Sequence, residues 1–163
     1  LAATRLDFLA IGAADRADLG QVCRNVAENL APIAINDGRS IEVVGGTPPV
    51  FIRGDAGALE QAVRNLVENA LRYSGPGTTV TIEVGADATI AVVDRGPGIP
   101  AEARDAIFER FHRIDQRTGG AGLGLSIVHR TVGAHAGTIE VADAPGGGAV
   151  FTMRFPLMES AAE

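Results

Sequence analysis

Lysine is absent from this chain of 163 residues; all 14 basic side chains are arginine. That excludes chemistry carried by a lysine amine, including a P-loop nucleotide site, a Schiff-base enzyme and the strand lysine of the protein-kinase fold. Cysteine is nearly absent as well. The single Cys23 can form no internal disulfide and has no second thiol for a metal cluster, which fits a reducing cytoplasmic setting. Its position on an apolar helical stripe reads as a small core residue. Positive charge is in deficit, 14 basic against 20 acidic groups, for a net charge of −6 and a pI near 5.0. A surface that tracks nucleic-acid phosphates would show a basic patch or a pI above about 9, so no nucleic-acid partner is expected. No apolar run approaches the roughly 18 residues needed to span a membrane. There is also no initiator methionine and no charged-then-apolar leader, so Leu1 is expected to be the start of a piece of a longer protein.

What is present suits one globular domain with a genuine core, since about 100 to 200 residues is the usual domain size. Residues 1–14 read as a linker or the end of a preceding helix, and residues 15–163 as the domain. Between Asp18 and Ile35, the spacing of Leu19, Val22, Val26, Leu30 and Ile33 predicts an amphipathic helix with Asp18 as N-cap. The runs IEVV (41–44) and VFI (50–52), with GGTPP between them, predict two strands joined by a turn. A longer helix is predicted from about Asp55 to Tyr73. Then TVTIEVG (79–85) and ATIAVVD (88–94) form a hairpin around Ala86 and Asp87. A short helical piece, AEARDAIFERF, lies in the polar, glycine-rich stretch that follows. LGLSIVHRTVGAHA predicts another helix, and GTIEVAD and GAVFTMRFPL a closing hairpin. The order predicts a two-layer α/β sandwich with one helical layer on a mixed sheet.

Candidate site residues cluster in three places. On the helix ending at Tyr73, Asn65, Asn69 and Arg72 are spaced by four and three, so they share one flank beside the apolar stripe of Leu59, Ala62, Val63, Leu66 and Ala70. A neutral amide oxygen suits magnesium when nucleotide phosphates supply the negative charge, and arginine suits phosphate oxygens. Two helix asparagines that merely cap or solvate something would look the same. Asp94 ends an apolar strand and is followed by RGPGIP; a carboxylate there can accept from an exocyclic amine such as adenine's, with Gly96 and Gly98 letting backbone approach a flat ring. A turn aspartate that satisfies local N–H groups is the alternative. Finally, the glycines at 119–124 lead into a helix N-terminus, an arrangement suited to anions. Their spacing does not match the dinucleotide-binding fingerprint, because Leu125 fills the place of its last glycine.

Four motifs in order carry a resemblance. NLVENALRYS (65–74) resembles the N box of histidine-kinase ATP-binding domains, and DRGPGIP (94–100) the first glycine box. IFERFHRID (107–115) resembles the phenylalanine box and GGAGLGLSIV (119–128) the second glycine box. GGGAVFTMRFP (146–156) resembles the closing hairpin. The resemblance covers about residues 18–157 and implies the α+β Bergerat fold shared with the Hsp90, gyrase and MutL ATPases. That fold is a mixed sheet of about five strands with three main helices on one face. It implies that Asn69 ligates Mg2+, with Asn65 and Arg72 at the phosphates, and that Tyr73, Asp94, Gly96, Gly98 and Ile99 contact the nucleotide. It further implies a lid at 112–120 anchored by Phe108 and Phe111, a phosphate or partner contact at Arg110, and a hinge and phosphate-facing helix start at Gly120, Gly122, Leu123, Gly124 and Leu125.

The chain departs from the pattern at Arg72, where lysine is frequent. It departs again at Ala149, where a threonine is usual, and at Ala136, which replaces the first glycine of a His-Gly-Gly run. No histidine has the acidic flank of a phosphoacceptor, so His112, His129 and His135 read as lid, surface and packing residues respectively. The resemblance implies the catalytic half of a sensor histidine kinase. It would present Mg·ATP to a histidine on the dimerisation domain of the same parent, which in turn would serve a response-regulator receiver. The fragment is expected to be a monomer and its parent a homodimer; the domain is expected in the cytoplasm, with a parent that is either free or anchored in the inner membrane. Two other readings are a related ATPase and a nucleotide-binding signalling module without catalysis. The ATPase reading is weakened because Asn65 stands where those enzymes place a glutamate base, and neighbouring Glu68 is turned about 100° away from Asn69 on the helix.

Overall fold

Asp18 and Asp55 start two long helices by the same device. Each carboxylate accepts a hydrogen bond from a first-turn N–H, Asp18 from Gln21 (3.3 Å) and Asp55 from Ala58 (2.9 Å), satisfying donors that a helix end otherwise leaves unpaired. The computed structural model describes residues 11–12, 15–96 and 123–158. Over these the order is β1 (Arg16–Asp18), α1 (Leu19–Asn36), β2 (Ser40–Gly45), β3 (Phe51–Arg53), α2 (Ala56–Tyr73), β4 (Thr79–Gly85), β5 (Thr89–Val93), α3 (Leu123–Ala134), β6 (Thr138–Asp143) and β7 (Ala149–Arg154).

Five strands form one mixed sheet in the order β2-β4-β5-β7-β6, with β2 parallel to β4 and the other pairs antiparallel. The helices cover one face, with α2 packed between α1 and α3. Alternation sorts the strands: Val80 and Ile82, Ile90 and Val92, and Phe151 and Met153 point into the core. They meet Leu30, Leu59 and Leu66 from the helices. The two-layer α/β sandwich, with three long helices among the described residues, is as the sequence predicts.

Two local expectations change. The runs at 41–44 and 50–52 are strands, but they do not pair with each other. β2 joins β4 in parallel, which needs a crossover that α2 supplies. β3 instead forms a separate two-stranded sheet with β1, Ala17 opposite Ile52. The β4–β5 turn also has three residues rather than two: Ala88 takes φ +66° and its N–H donates to Gly85 O (3.1 Å), a turn closed by a left-handed residue.

The ends of α1 and α3 are closed alike. At α1, Gly38 is left-handed (φ +73°), and the N–H groups of Gly38 and Arg39 donate to Ile35 O and Ala34 O. At α3, Ala136 is left-handed (φ +57°), and the N–H groups of Ala136 and Gly137 donate to Gly133 O and Val132 O. Both are Schellman closures. The replacement of glycine at 136 therefore falls at a position whose backbone strains any side chain.

Candidate functional site

α2 runs across the middle of the helical layer with its apolar stripe buried, so its flank of Asn65, Asn69, Arg72 and Tyr73 lies at the boundary between core and solvent. Asn65 is half-buried. Its Oδ1 accepts from Gln61 Nε2 (3.2 Å) and its Nδ2 donates to Gly124 O (3.4 Å), which joins this flank to the first turn of α3. A Cβ at Gly124 would meet Asn65 Cβ at 3.7 Å, an ordinary van der Waals contact, so the two elements are close-packed here without requiring glycine. One turn further on, Asn69 is half-buried and its amide makes no hydrogen bond among the described residues. Arg72 is exposed and Tyr73 half-buried. Glu68 points away from Asn69 and pairs with Arg64 at 3.3 Å, its side chain 43% exposed. The helical geometry thus removes it as a base beside Asn69.

At the other end of the flank stands Asp94, immediately after β5 and only 4% exposed. One oxygen, Oδ1, accepts from both Gly96 N (2.8 Å) and Ala149 N (3.2 Å). The other has no partner among the described residues. Burial raises the Asp94 pKa above the ordinary carboxylate value, outweighing the two N–H donors and the nearby Arg95 guanidinium, which pull it down. Two glycines permit this arrangement. A side chain on Gly96 would collide with the Tyr73 carbonyl, and one on Gly148 with the Asp94 carbonyl. Gly96 therefore lets the exit of β5 lie against the end of α2, bringing Asp94 beside Tyr73. Arg95 pins the β6–β7 turn by donating to Pro145 O (2.6 Å).

The sequence-derived candidates are thus partly gathered. Asn65 meets Gly124 and Leu125 packs half-buried on the core. Asp94, Gly96 and Tyr73 converge, and Asn69 and Arg72 lie on the flank between the two groups. Gly98, Ile99, Arg110, Gly120 and Gly122 lie outside the described residues, as do Phe108, Phe111, His112, the 112–120 segment and the AEARDAIFERF piece; Leu123 is the first residue of α3, its side chain also outside the description. His135 is a packing residue. Its Nε2 accepts from Asp55 N (3.1 Å) and its Nδ1 lies 2.7 Å from Thr131 O, which fixes the tautomer with the proton on Nδ1. His129 is exposed. Two features escaped the sequence reading. The Ala149 N–H anchors Asp94 whatever its side chain, and the only written signal was the glycine run before it. The other is Arg39, which reaches the end of α2.

These features agree with what the chain is similar to. The profile of the histidine kinase-, DNA gyrase B-, and HSP90-like ATPase family matches residues 54–159. The sensor histidine kinase TmoS of Ectopseudomonas mendocina is 42% identical over 151 residues, 87% of this chain and 15% of TmoS. The mycobacterial sensor histidine kinase MprB superposes with a TM-score of 0.75 at 30% identity, over 88% of this chain and 97% of that one. Full-length ShkA, solved in complex with AMPPNP, gives a TM-score of 0.83 at 34% identity, over 99% of this chain and 35% of ShkA. The chain belongs to the histidine kinase-, DNA gyrase B-, and HSP90-like ATPase family. Within it, the chain is of the sensor histidine kinase ATP-binding type, and it spans a third or less of the length of the curated relatives it matches.

Proposed function

We propose that this domain binds Mg·ATP between α2, the start of α3 and the exit of β5, and presents the γ-phosphate to a histidine on a dimerisation domain of its parent protein. The observation that carries the reading is the state of Asp94: buried, anchored through one oxygen, with the second left for a ligand donor. Adenine offers an amine to that oxygen, and Tyr73 borders the base. Asn65, Arg72 and the N–H groups at the start of α3 would take the phosphates, where a helix N-terminus favours anions. Asn69 suits Mg2+, because its half-buried amide is unengaged by any described residue and a neutral oxygen ligand leaves charge balance to the phosphates. The bound ion would neutralise phosphate charge; the chain's own part is to orient the nucleotide and exclude water.

Gly98 and Ile99 complete the base pocket in this reading. Gly120, Gly122 and Leu123 form the hinge of a lid over 112–120, and Arg110 contacts phosphate or the acceptor domain. Residues 15–163 are the domain, and 1–14 the linker or the end of the dimerisation helix. The parent is a homodimer that passes phosphate to a receiver domain. No helix among the described residues is long and apolar enough to cross a membrane; we place the domain in the cytoplasm, with any membrane anchor elsewhere in the parent. The ATPase alternative lacks a base: position 65 is asparagine, and Glu68 is committed to Arg64 on the outer face.

The test uses radiolabelled ATP. The chain alone should bind Mg·ATP without labelling itself or hydrolysing it appreciably, and addition of a dimeric fragment carrying the acceptor histidine should give an acid-labile, base-stable phosphoprotein. Rapid hydrolysis by the chain alone would favour the ATPase. Binding without transfer to an authentic acceptor would favour a non-catalytic module.

A further inference from the structure

Resting on the nucleotide-binding reading above, we infer that Arg39, far from the four motifs in sequence, is a positioning residue for the base end of the nucleotide site, acting by clamping the carbonyl of Ser74, the cap residue that follows α2. A helix leaves its final carbonyls without partners, and its C-terminus carries partial negative charge. At α2 the cap residue is the buried Ser74, directly after Tyr73. Arg39 donates to the Ser74 carbonyl through both Nε (3.0 Å) and Nη2 (2.7 Å), while Nη1 reaches Asp37 O (3.3 Å). Two N–H groups of one planar guanidinium on one oxygen define a direction as well as a distance, which an ammonium cannot do.

The arginine is itself held in place. It follows the left-handed Gly38 that closes α1, and its backbone N–H donates to Ala34 O (2.8 Å). The segment after α2 is tied to the same closure, Gly77 N to Gly38 O (2.8 Å) and Ser40 N to Thr78 O (3.1 Å). The end of α1 thus forms a cradle for the end of α2. The mechanical consequence runs one residue upstream: the Tyr73 carbonyl is the atom against which Gly96 packs, and Gly96 N holds Asp94 Oδ1. A shift of the Ser74 carbonyl would move Tyr73 and then the loop that aims Asp94.

The chain contains one tyrosine and no tryptophan, so its intrinsic fluorescence reports Tyr73 alone. The experiment compares wild type with Arg39→Ala, Arg39→Lys and, as a control, Arg154→Ala, whose side chain pairs with Glu140 on the exposed sheet face (2.9 Å). A core variant, Leu30→Ala, controls for loss of global stability away from the Ser74 carbonyl. Mg·ATP and AMP affinities are measured by calorimetry, and Tyr73 exposure by acrylamide quenching without nucleotide. Arg39→Ala should weaken both nucleotides about tenfold, the scale of one lost charge-assisted hydrogen bond, and steepen the quenching. Arg39→Lys should recover only part of the affinity. Arg154→Ala and Leu30→Ala should leave both readouts near wild type. Affinities of Arg39→Ala within twofold of wild type, unchanged quenching, full rescue by lysine, or an equal effect of Leu30→Ala would each overturn the inference. Failure of wild type to bind Mg·ATP would instead sink the nucleotide-binding reading itself.

Discussion

Replacing Asp94 by asparagine should weaken ATP binding while leaving the empty domain as stable as wild type or more so. The carboxylate is 4% exposed, and its burial cost exceeds what Gly96 N, Ala149 N and Arg95 return, so its pKa lies above the usual carboxylate value. In Asp94→Asn the amide oxygen can still accept from Gly96 and Ala149, which places the NH2 group where the free carboxylate oxygen was. Adenine's amine then meets a donor in place of an acceptor. Loss of a hydrogen bond to a charged group costs about 1.5 to 3 kcal/mol, or roughly 10- to 150-fold in affinity. Guanine offers a carbonyl at that point, so the preference for ATP over GTP should narrow or invert. A group whose folded pKa is raised contributes stability that is complete below its unfolded pKa, about 3.9 for aspartate, and lost as pH climbs through the folded value. The variant's advantage in urea unfolding should therefore be absent in acid and open as pH rises toward neutral. Calorimetry with ATP and GTP, together with denaturation across pH, tests both halves. Equal ATP affinity in the two proteins, or a variant less stable at neutral pH than in acid relative to wild type, would refute the reasoning.

Asn69→Asp keeps an oxygen ligand but adds charge beside the triphosphate, so phosphotransfer to the acceptor fragment should fall more than metal affinity does; wild-type activity would exclude the metal role. Ala136→Gly removes a left-handed alanine costing roughly 1 to 2 kcal/mol against a glycine entropy penalty of about 0.5 to 1 kcal/mol. The midpoint of unfolding should therefore rise slightly, and a fall would show that the alanine methyl is compensated by packing. If residues 112–120 form a lid, their amide exchange should slow on addition of saturating Mg·ATP, and unchanged exchange would count against one.

Much of the domain was legible because its elements are periodic. The apolar stripe of α2 runs from Leu59 to Ala70 without interruption, and the alternation survives at full length in β4 and β7 and up to Val92 in β5. Asn65, Asn69 and Asp94 could be put forward as candidates because side-chain chemistry at fixed spacing is written in residue names. What stayed hidden depends on backbone. β2 and β3 resemble a hairpin locally, and only the preference of β2 for a parallel neighbour, reached through a helix, separates them. The doubt over Ala149 came from the threonine it lacks, yet its contribution to Asp94 is an N–H that every residue but proline carries. Arg39 was invisible for a related reason: its target is the carbonyl of Ser74, 35 positions away, and a carbonyl leaves no mark in sequence.

The site is best understood through the way α2 is fastened. Asn65 ties one end of its flank to the start of α3, and Ser74 ties the other to Arg39, with Gly96 closing Tyr73 onto the Asp94 loop. From Asn65 to Tyr73 is about 12 Å of helix axis at roughly 1.5 Å per residue, and in the proposed reading the base lies at one end and the phosphates at the other. A helix held at both ends sets this separation rigidly, so the two ends should contribute independently, as sites without shared partners usually do. Asp94→Asn should then weaken AMP and ATP by the same factor, whereas Asn69→Asp should spare AMP and weaken only the triphosphate with its metal. The double variant should show the sum of the two free-energy losses for ATP. If AMP binding falls as far in Asn69→Asp as ATP binding does, base and phosphate recognition are coupled, and α2 does not act as a rigid ruler between them.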